Sequence, residues 1–277
     1  MKTPAIAHFG TTIVESAPAA GVRQQDVPVA GVLGDMLAFL DVLGFEPGVE
    51  NYYEGVGRQY IWHRGSVEDV DYVEQDNFTS YVAQRRPTTT GPRVGDTIFR
   101  LSHADPQSVY QALIARSLVK AVNGDRAAAF IAGEQDWLLI EAPNAQIYEL
   151  GRTGLAAADN HVIYVWTEIA RLDEVAQSYA THFGVKRGNV EDFHDLGKVL
   201  YLRREEPGLT IGLMHDPVQT LAPRWTDDIF KEAGYAHFRL GAVSKSETEQ
   251  TTRQAFPAAG DVSFVYFEDS YLELVQA

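Results

Sequence analysis

The sequence predicts an α+β fold with an internal duplication. Apolar and other residues alternate in short segments bounded by turn-forming residues, which is typical of strands, for example AHFRL at 236–240. Leucines spaced for one helical face, with a glycine stop, predict a helix at 34–45. The order strand, helix, several strands occurs twice in each half of the chain. Self-similarity of this long period determines the fold class before finer detail is considered.

Three segments of the first half match segments of the second half. The matching pairs are 8–15 with 161–168, 98–101 with 237–240, and 148–150 with 272–274. The stretch at 151–160 is small and polar, as expected of a linker. We therefore predict an N-terminal domain at 1–150, a linker at 151–160 and a C-terminal domain at 161–277.

The remaining elements follow from local signals along the chain. In the first half we expect strands at 6–15, within 51–73, at 96–102, 127–132, 137–141 and 146–150, a long loop at 77–95, and a helix that Asp105 caps, that Pro106 opens and that ends near 118. In the second half we expect strands at 161–167, 198–203, 209–214, 236–240 and the C-terminus, and helices at 171–183 and about 246–256.

Composition excludes several classes of function. The chain has 277 residues, 45% of them hydrophobic, which is enough for one large core or two modest ones. A net charge of -15 argues against nucleic acid and anionic membrane surfaces as partners. The absence of cysteine excludes disulfides, thiolate metal sites, Fe–S clusters and cysteine nucleophiles.

The N-terminal segment lacks the apolar region of a signal peptide, and no apolar run approaches the roughly 20 residues that span a bilayer. We therefore expect a cytoplasmic protein whose partner is a small-molecule substrate. Assembly into a homo-oligomer is left open.

Three residues on predicted strands are candidate metal ligands: His161, His237 and Glu273. Two imidazoles and one carboxylate on neighbouring strands can form a facial triad with open coordination positions, which is the arrangement of non-haem Fe(II) sites.

At these residues the chain resembles the vicinal oxygen chelate superfamily, which includes glyoxalases, bleomycin-resistance proteins and extradiol dioxygenases. PNAQIYEL at 143–150 is similar to the closing turn and strand of that family, and EDSYLEL at 268–274 is a second copy with a shorter turn. The resemblance implies two domains of paired βαβββ units, each a curved mixed sheet that forms a cup with helices outside. It also implies metal ligands at His161, His237 and Glu273.

In the N-terminal half the same family positions are His8, Ile98 and Glu149. Isoleucine cannot bind a metal, so we expect one divalent metal ion per chain and a structural role for Glu149.

Members of the family assemble the cup in two ways. If both units come from one domain, the ligands are His161, His237 and Glu273; if the first unit pairs with the last, His8 replaces His161. We favour the arrangement within one domain, because it needs no exchange of units.

One observation favours the alternative. Small residues, Gly10 and Thr12, share a strand face with His8, whereas the bulky Ile163 and Val165 follow His161. Small neighbours leave room for a substrate.

The ligand set favours Fe(II), with Zn, Mn, Ni or Co as alternatives, and a ring-cleaving dioxygenase of the extradiol or hydroquinone type acting on a dihydroxylated aromatic. A glyoxalase, epimerase or lyase on another metal is one alternative, and a metal-free binding or resistance protein is another.

Further catalytic candidates are His215, Tyr266 and Arg239. Extradiol enzymes carry an acid/base histidine on the strand before the second ligand, yet the strand at 209–214 has none before His215 at its end. Arg239 could bind an anionic group of the substrate through a bidentate contact.

Overall fold

The structure is a computed structural model. It describes residues 6–14, 31–53, 57–64, 68–75, 92–152, 162–193, 196–204, 209–217, 221, 236–240, 253–254, 262–268 and 270–275.

Four α-helices and sixteen strands occupy the described part of the chain. The helices are α1 (Gly31–Val42), α2 (Pro106–Ala115), α3 (Gly124–Ile131) and α4 (Leu172–Phe183), the last preceded by a 3-10 turn at Ile169–Arg171. Among these helices, none has both the length and the apolar composition that crossing a bilayer requires.

The strands of the first half are β1 (Ile6–Val14), β2 (Glu46–Tyr53), β3 (Gly57–Arg64), β4 (Glu68–Gln75), β5 (Thr97–His103), β6 (Lys120–Ala121), β7 (Trp137–Glu141) and β8 (Ile147–Arg152). Those of the second half are β9 (Val162–Trp166), β10 (Lys186–Phe193), β11 (Gly197–Arg204), β12 (Leu209–His215), β13 (Ala236–Leu240), β14 (Arg253–Gln254), β15 (Val262–Phe267) and β16 (Ser270–Val275).

The strands form two eight-stranded sheets. The first sheet has the order β14-β15-β16-β13-β1-β4-β3-β2, and the second has the order β10-β11-β12-β9-β5-β8-β7-β6. Each sheet therefore joins two units of four strands. This is the predicted α+β architecture of paired units, with mixed parallel and antiparallel neighbours.

The units are paired across the two halves of the chain. In the first sheet β1 lies antiparallel to β13, so the first unit joins the last; in the second sheet β5 lies antiparallel to β9, so the two middle units join. The pairing within one half that we favoured from the sequence is not the observed one. Either pairing satisfies the same local patterns. In the observed one, Ile98 and Phe99 on β5 pair with Tyr164 and Ile163 on β9, and all four side chains are buried.

The helix-facing sides of the two sheets share one hydrophobic core. Phe39 of α1 packs against Tyr148 on β8 of the second sheet, with ring centroids 5.5 Å apart. Tyr179 of α4 packs edge-on against Phe267 on β15 of the first sheet, with centroids 4.9 Å apart. Helices of one sheet thus bury side chains of the other, which links the two sheets into a common interior.

The opposite side of the second sheet carries a separate apolar cluster. Its buried members are Ile98, Leu139, Val162, Tyr164, Trp166, Phe193, Val199, Met214 and Leu221. This face of the second sheet is therefore filled by apolar side chains, most of which come from its own strands.

Helix ends follow their sequence signals. The carboxylate of Asp105 accepts a hydrogen bond from the backbone N–H of Ser108, and Pro106 opens α2. Gly184, with φ of 63°, ends α4 in the left-handed conformation that glycine adopts without strain. These two helices confirm the predictions at 105–118 and 171–183.

Two predicted elements differ from the structure. The segment 127–132, expected as a strand, belongs to α3, because Asn123 caps the backbone N–H groups of Asp125 and Arg126 and three alanines follow. Within the helix expected at about 246–256, the described residues Arg253–Gln254 form β14 instead and pair with β15. The predicted linker begins inside β8, which ends at Arg152, and residues 153–160 lie outside the described part.

Candidate functional site

The first sheet brings three candidate ligand positions onto adjacent strands. His8 is on β1, His237 is on β13 and Glu273 is on β16, and the sheet order places these strands side by side. The Cα partner of His237 is Gly10, two residues beyond His8. The described structure covers the backbone of these positions, and their side chains, with those of Arg239 and Tyr266, lie outside it.

The strand register assigns the three positions to one face. Phe9, Phe238 and Leu272 are successive partners across β1, β13 and β16, so these three residues share a face. His8, His237 and Glu273 are each one residue away from this row. Alternation along a strand therefore puts all three positions on the opposite face.

Helix α4 identifies the two faces. Ser270 alternates with Leu272, is fully buried and contacts the Tyr179 hydroxyl of α4 at 3.0 Å. The row that contains Leu272 is thus on the helix side. Positions 8, 237 and 273 belong to the side turned away from the helix.

Two further carboxylate positions adjoin this face on β4. Asp69 is the partner of His8, and Asp71 is the partner of Gly10, in the parallel pairing of β1 with β4. Sequence reasoning did not single them out. The sequence pattern that could have indicated them is the spacing of the two aspartates in EDVDYVEQ, which puts both on one face of a strand. That pattern points to the site only when β4 is known to lie beside β1.

His161 lies outside the described residues, but the strand that follows it is described. Val162–Trp166 forms β9 in the second sheet, not beside β13. Ile163 pairs with Phe99 as Phe9 pairs with Phe238, so the counterpart of His8 is Val162, which is buried. The alignment of His8 with His161 is therefore wrong by one residue, which exchanges the two faces of the strand.

The second sheet has a buried charged cluster at its equivalent position. Arg100 on β5 donates to Glu149 on β8 twice, from Nε to Oε2 at 2.6 Å and from Nη2 to Oε1 at 3.0 Å. The Tyr164 hydroxyl of β9 accepts from Arg100 Nη2 at 2.8 Å and donates to Glu149 Oε2 at 2.9 Å. The Glu149 side chain is fully buried, so both of its oxygens are held by protein groups. This agrees with the structural role expected for Glu149.

The electrostatics of this cluster favour a charged pair and a neutral phenol. Burial alone would lower the pKa of Arg100, but the adjacent Glu149 carboxylate outweighs it and raises that pKa above its ordinary value. Burial, reinforced by the charge of Glu149, raises the pKa of the Tyr164 phenol well above its ordinary value. Arg100 therefore supplies the positive charge that the carboxylate of this sheet requires.

The space over this cluster is occupied by the Tyr164 ring. Its position in the second sheet corresponds to Gly10 in the first, since Tyr164 pairs with Ile98 as Gly10 pairs with His237. The ring lies so close to Gly212 on β12 that a Cβ there would be 2.4 Å from Tyr164 Cδ1. Glycine is therefore required beneath the ring, and the second sheet has no room for a substrate at this point.

His215, a predicted catalytic residue, ends β12 in the second sheet. It is 5% exposed, and its Nδ1 atom is buried without a hydrogen-bond partner among the described residues. Burial lowers the pKa of this imidazole below its ordinary value. Because β12 does not adjoin β1 or β13, the strand register does not bring His215 beside His8 or His237.

Among the side chains that the structure describes, no group of three or more histidine, aspartate or glutamate residues is arranged to hold a metal ion. The second sheet, whose side chains are largely described, thus carries the arginine–carboxylate cluster in place of such a group. The candidate site is the face of the first sheet defined above.

Comparison with known proteins agrees with this architecture. No family model matches the chain, and no curated protein matches its sequence. Solved structures do match, and they share the α+β fold of paired units that the sequence predicted.

The similar structures include glyoxalase I from Zea mays, with a TM-score of 0.60 and 11% sequence identity over 99% of this chain and 92% of that one. A mutant of the same maize enzyme gives a TM-score of 0.61 at 11% identity, with 99% and 94% covered. The fosfomycin resistance protein FosX from Listeria monocytogenes matches 54% of this chain and 91% of its own at 10% identity and a TM-score of 0.31, too low to support an inference. At these identities the likeness concerns the fold alone.

Proposed function

We propose that the chain is a metal-dependent enzyme that holds one divalent cation on the first sheet, with His8, His237 and Glu273 as ligands. The single observation that carries the proposal is the register of β1, β13 and β16, which puts these three positions on one face of adjacent strands. Adjacent strands are about 4.8 Å apart, so side chains from three neighbours can reach one ion.

The donor chemistry fits a divalent cation. Two imidazoles and a carboxylate suit Zn, Mn, Ni, Co or Fe(II) and leave coordination positions open. The second sheet provides an internal comparison, because its equivalent residues are Val162, Ile98 and Glu149, and the side chains of valine and isoleucine cannot bind a metal. One ion per chain is therefore the expected stoichiometry.

The reaction we favour is glyoxalase-like: proton transfer next to a carbonyl in a small molecule with two neighbouring oxygens. A bound cation would supply Lewis-acid polarisation of the substrate oxygens. Asp69 and Asp71, the partners of His8 and Gly10, give this face carboxylates beyond the three ligands, and one of them can serve as base. Arg239, the partner of His8, can bind an anionic group of the substrate.

A second candidate is an Fe(II)-dependent ring-cleaving dioxygenase. The observation in its favour is the ligand set itself, since two histidines and one carboxylate is the pattern of non-haem Fe(II) oxygenases. Such enzymes carry an acid/base histidine on a strand next to the metal site. Here the strand beside β1 is β4, so Asp69 or Asp71 would act as the acid/base group.

Metal analysis of protein purified without chelators tests the proposal. We expect one divalent ion per chain, lost in His237→Ala and retained in Gln177→Ala, a control at an exposed position of α4. Turnover of a 2-oxoaldehyde thiol adduct without oxygen supports the glyoxalase-like reaction, and oxygen uptake with a catechol or hydroquinone supports the dioxygenase. Wild-type protein that binds no divalent ion would overturn both and leave a metal-free binding protein.

A further inference from the structure

We propose that α4 is a positioning device for the metal carboxylate: Tyr179 and Arg171 hold the tip of the β15–β16 hairpin and thereby fix Glu273 in the first sheet. The inference rests on the proposed metal site. It assigns a role in that site to α4, although β9 to β12, the strands on either side of α4 in the sequence, belong to the second sheet.

Two polar contacts join the helix to the hairpin. The Tyr179 hydroxyl lies 3.0 Å from the Ser270 hydroxyl, and both residues are fully buried. Arg171 Nη2 donates to Glu268 Oε2 at 2.8 Å, and the Glu268 side chain is only 17% exposed. Both contacts reach residues within five positions of Glu273.

Phe267, the last residue of β15, packs against α4 and is 2% exposed. Its ring centroid is 4.9 Å from those of Tyr179 and Phe183 and 5.0 Å from that of His182. The hairpin tip is therefore enclosed by one face of the helix, and a shift of the tip would break this packing.

The turn itself is tight. Phe267 pairs with Ser270, so two residues connect β15 to β16, and Glu268 adopts a φ of 52°. This left-handed conformation is uncommon for a residue with a side chain, and Arg171 holds the carboxylate of the residue that adopts it. Because the turn is short, the position of its tip determines where the start of β16 lies.

The helix contacts matter because they act at the start of β16, the strand that carries Glu273 and that is registered on β13 through Phe238 and Leu272. Ser270 is three residues before Glu273, a distance of about 10 Å along a strand. The contact of α4 with the start of β16 therefore bears on where Glu273 lies relative to His237.

Cobalt(II) titration of the full-length apoprotein, followed by the visible absorption of the bound ion, tests the inference. We expect Tyr179→Phe and Ser270→Ala each to weaken cobalt binding about tenfold, the scale seen when groups that support metal ligands are removed. Their absorption spectra should also change. The double variant should bind no more weakly than either single variant, because both remove the same hydrogen bond. The titrations are made well below the melting temperature of each variant.

Tyr110→Phe is the matched control. Tyr110 is a buried tyrosine on α2 that packs edge-on against Phe130, and its helix packs chiefly on α1, α3 and strands of the second sheet. Its removal should leave cobalt affinity and the spectrum unchanged. Arg171→Met, at a side chain 39% exposed, supplies a second test where loss of the buried hydroxyl prevents folding, and Arg171→Lys should restore part of the affinity.

The outcomes separate two failures. If wild-type protein binds cobalt and the Tyr179, Ser270 and Arg171 variants bind it equally well with the same spectrum, α4 only stabilises the fold and the positioning role is refuted. If wild-type protein binds no cobalt, the proposed function is refuted and this inference with it. Weaker binding with an altered spectrum, confined to the hairpin variants, supports the inference.

Discussion

Arg100 holds Glu149 by two hydrogen bonds, of 2.6 and 3.0 Å, in the interior of the second sheet. The pair occupies adjacent strands in the place where, in the first sheet, Arg239 and Glu273 occupy β13 and β16. Both sheets therefore have an arginine position beside a glutamate position. They differ at the two histidine positions of the first sheet, which Val162 and Ile98 occupy in the second, and this difference indicates that the two sheets have separate roles.

Replacing Arg100 alone should destabilise the protein strongly. Arg100→Met leaves a carboxylate buried without its cation, which typically costs about 3–5 kcal/mol. Urea unfolding would measure the loss. The triple variant Arg100→Met, Glu149→Leu, Tyr164→Phe removes the three polar groups described above and should recover most of it, because well-packed apolar residues often replace buried ion pairs without loss. A single variant as stable as wild type would contradict the arrangement.

Gly212→Ala should destabilise the second sheet by about 1–3 kcal/mol. The new Cβ would lie 2.4 Å from Tyr164 Cδ1 and 2.8 Å from Val199 Cγ2, and both of these side chains are buried. Thermal unfolding followed by circular dichroism would report the change. Gly124→Ala is the matched control, since nothing lies within 4 Å of its Cβ position, and it should change stability little. Equal stability of the two variants would be incompatible with the packing described.

Stability should fall as pH drops below about 6.5, and His215 should account for part of the fall. Burial lowers the pKa of His215 in the folded protein. A hydrogen bond with the Leu213 backbone opposes this effect, and the charges of Lys198 and Asp216 make smaller contributions of opposite sign. The unfolded chain therefore takes up a proton more readily, so acid favours unfolding.

Urea midpoints at pH 7.5 and 5.5 would measure this dependence. His215→Leu should reduce the difference between the two pH values. The same pair of measurements on His103→Gln, at a histidine on β5 that is not fully buried, serves as the control. An unchanged pH dependence in His215→Leu would show that the imidazole is not the group responsible.

Metal binding should distinguish the two histidines that the sequence left as alternatives. His8→Ala should weaken binding of a divalent ion by about two orders of magnitude, because one of three ligands is lost. His161→Ala should leave it unchanged, since β9 pairs with β5 and not with β13. Equilibrium dialysis of both variants would decide the matter, and the reverse result would restore the arrangement within one half.

Much of the fold could be predicted from the sequence because the signals are local. The duplication, the caps of α2 and α4 and most strands follow from spacing, glycine and proline positions, and alternation. Helix α3 was missed because an alanine-rich apolar run suits either a strand or a helix, and the deciding signal was the Asn123 cap before it.

The pairing of units could not be predicted in the same way. Register is set by contacts between segments far apart in sequence, and one residue of slip exchanges the faces of a strand. The segments that contain His8 and His161 match in spacing, but the strand register makes Val162, one residue further on, the counterpart of His8. The small residues Gly10 and Thr12 were the one sequence observation that favoured His8, and the strand order agrees with it.

The pairing of the first unit with the last also bears on the order of events during synthesis. The two middle units are consecutive in the sequence, so the second sheet can form while translation continues. Arg100 can then pair with Glu149 before the last strands are synthesised. The first sheet can form only after β13 to β16 have been synthesised. Nascent chains would then carry a completed second sheet beside an incomplete first one, and the site that we propose on the first sheet could form only after β13 and β16 have been synthesised.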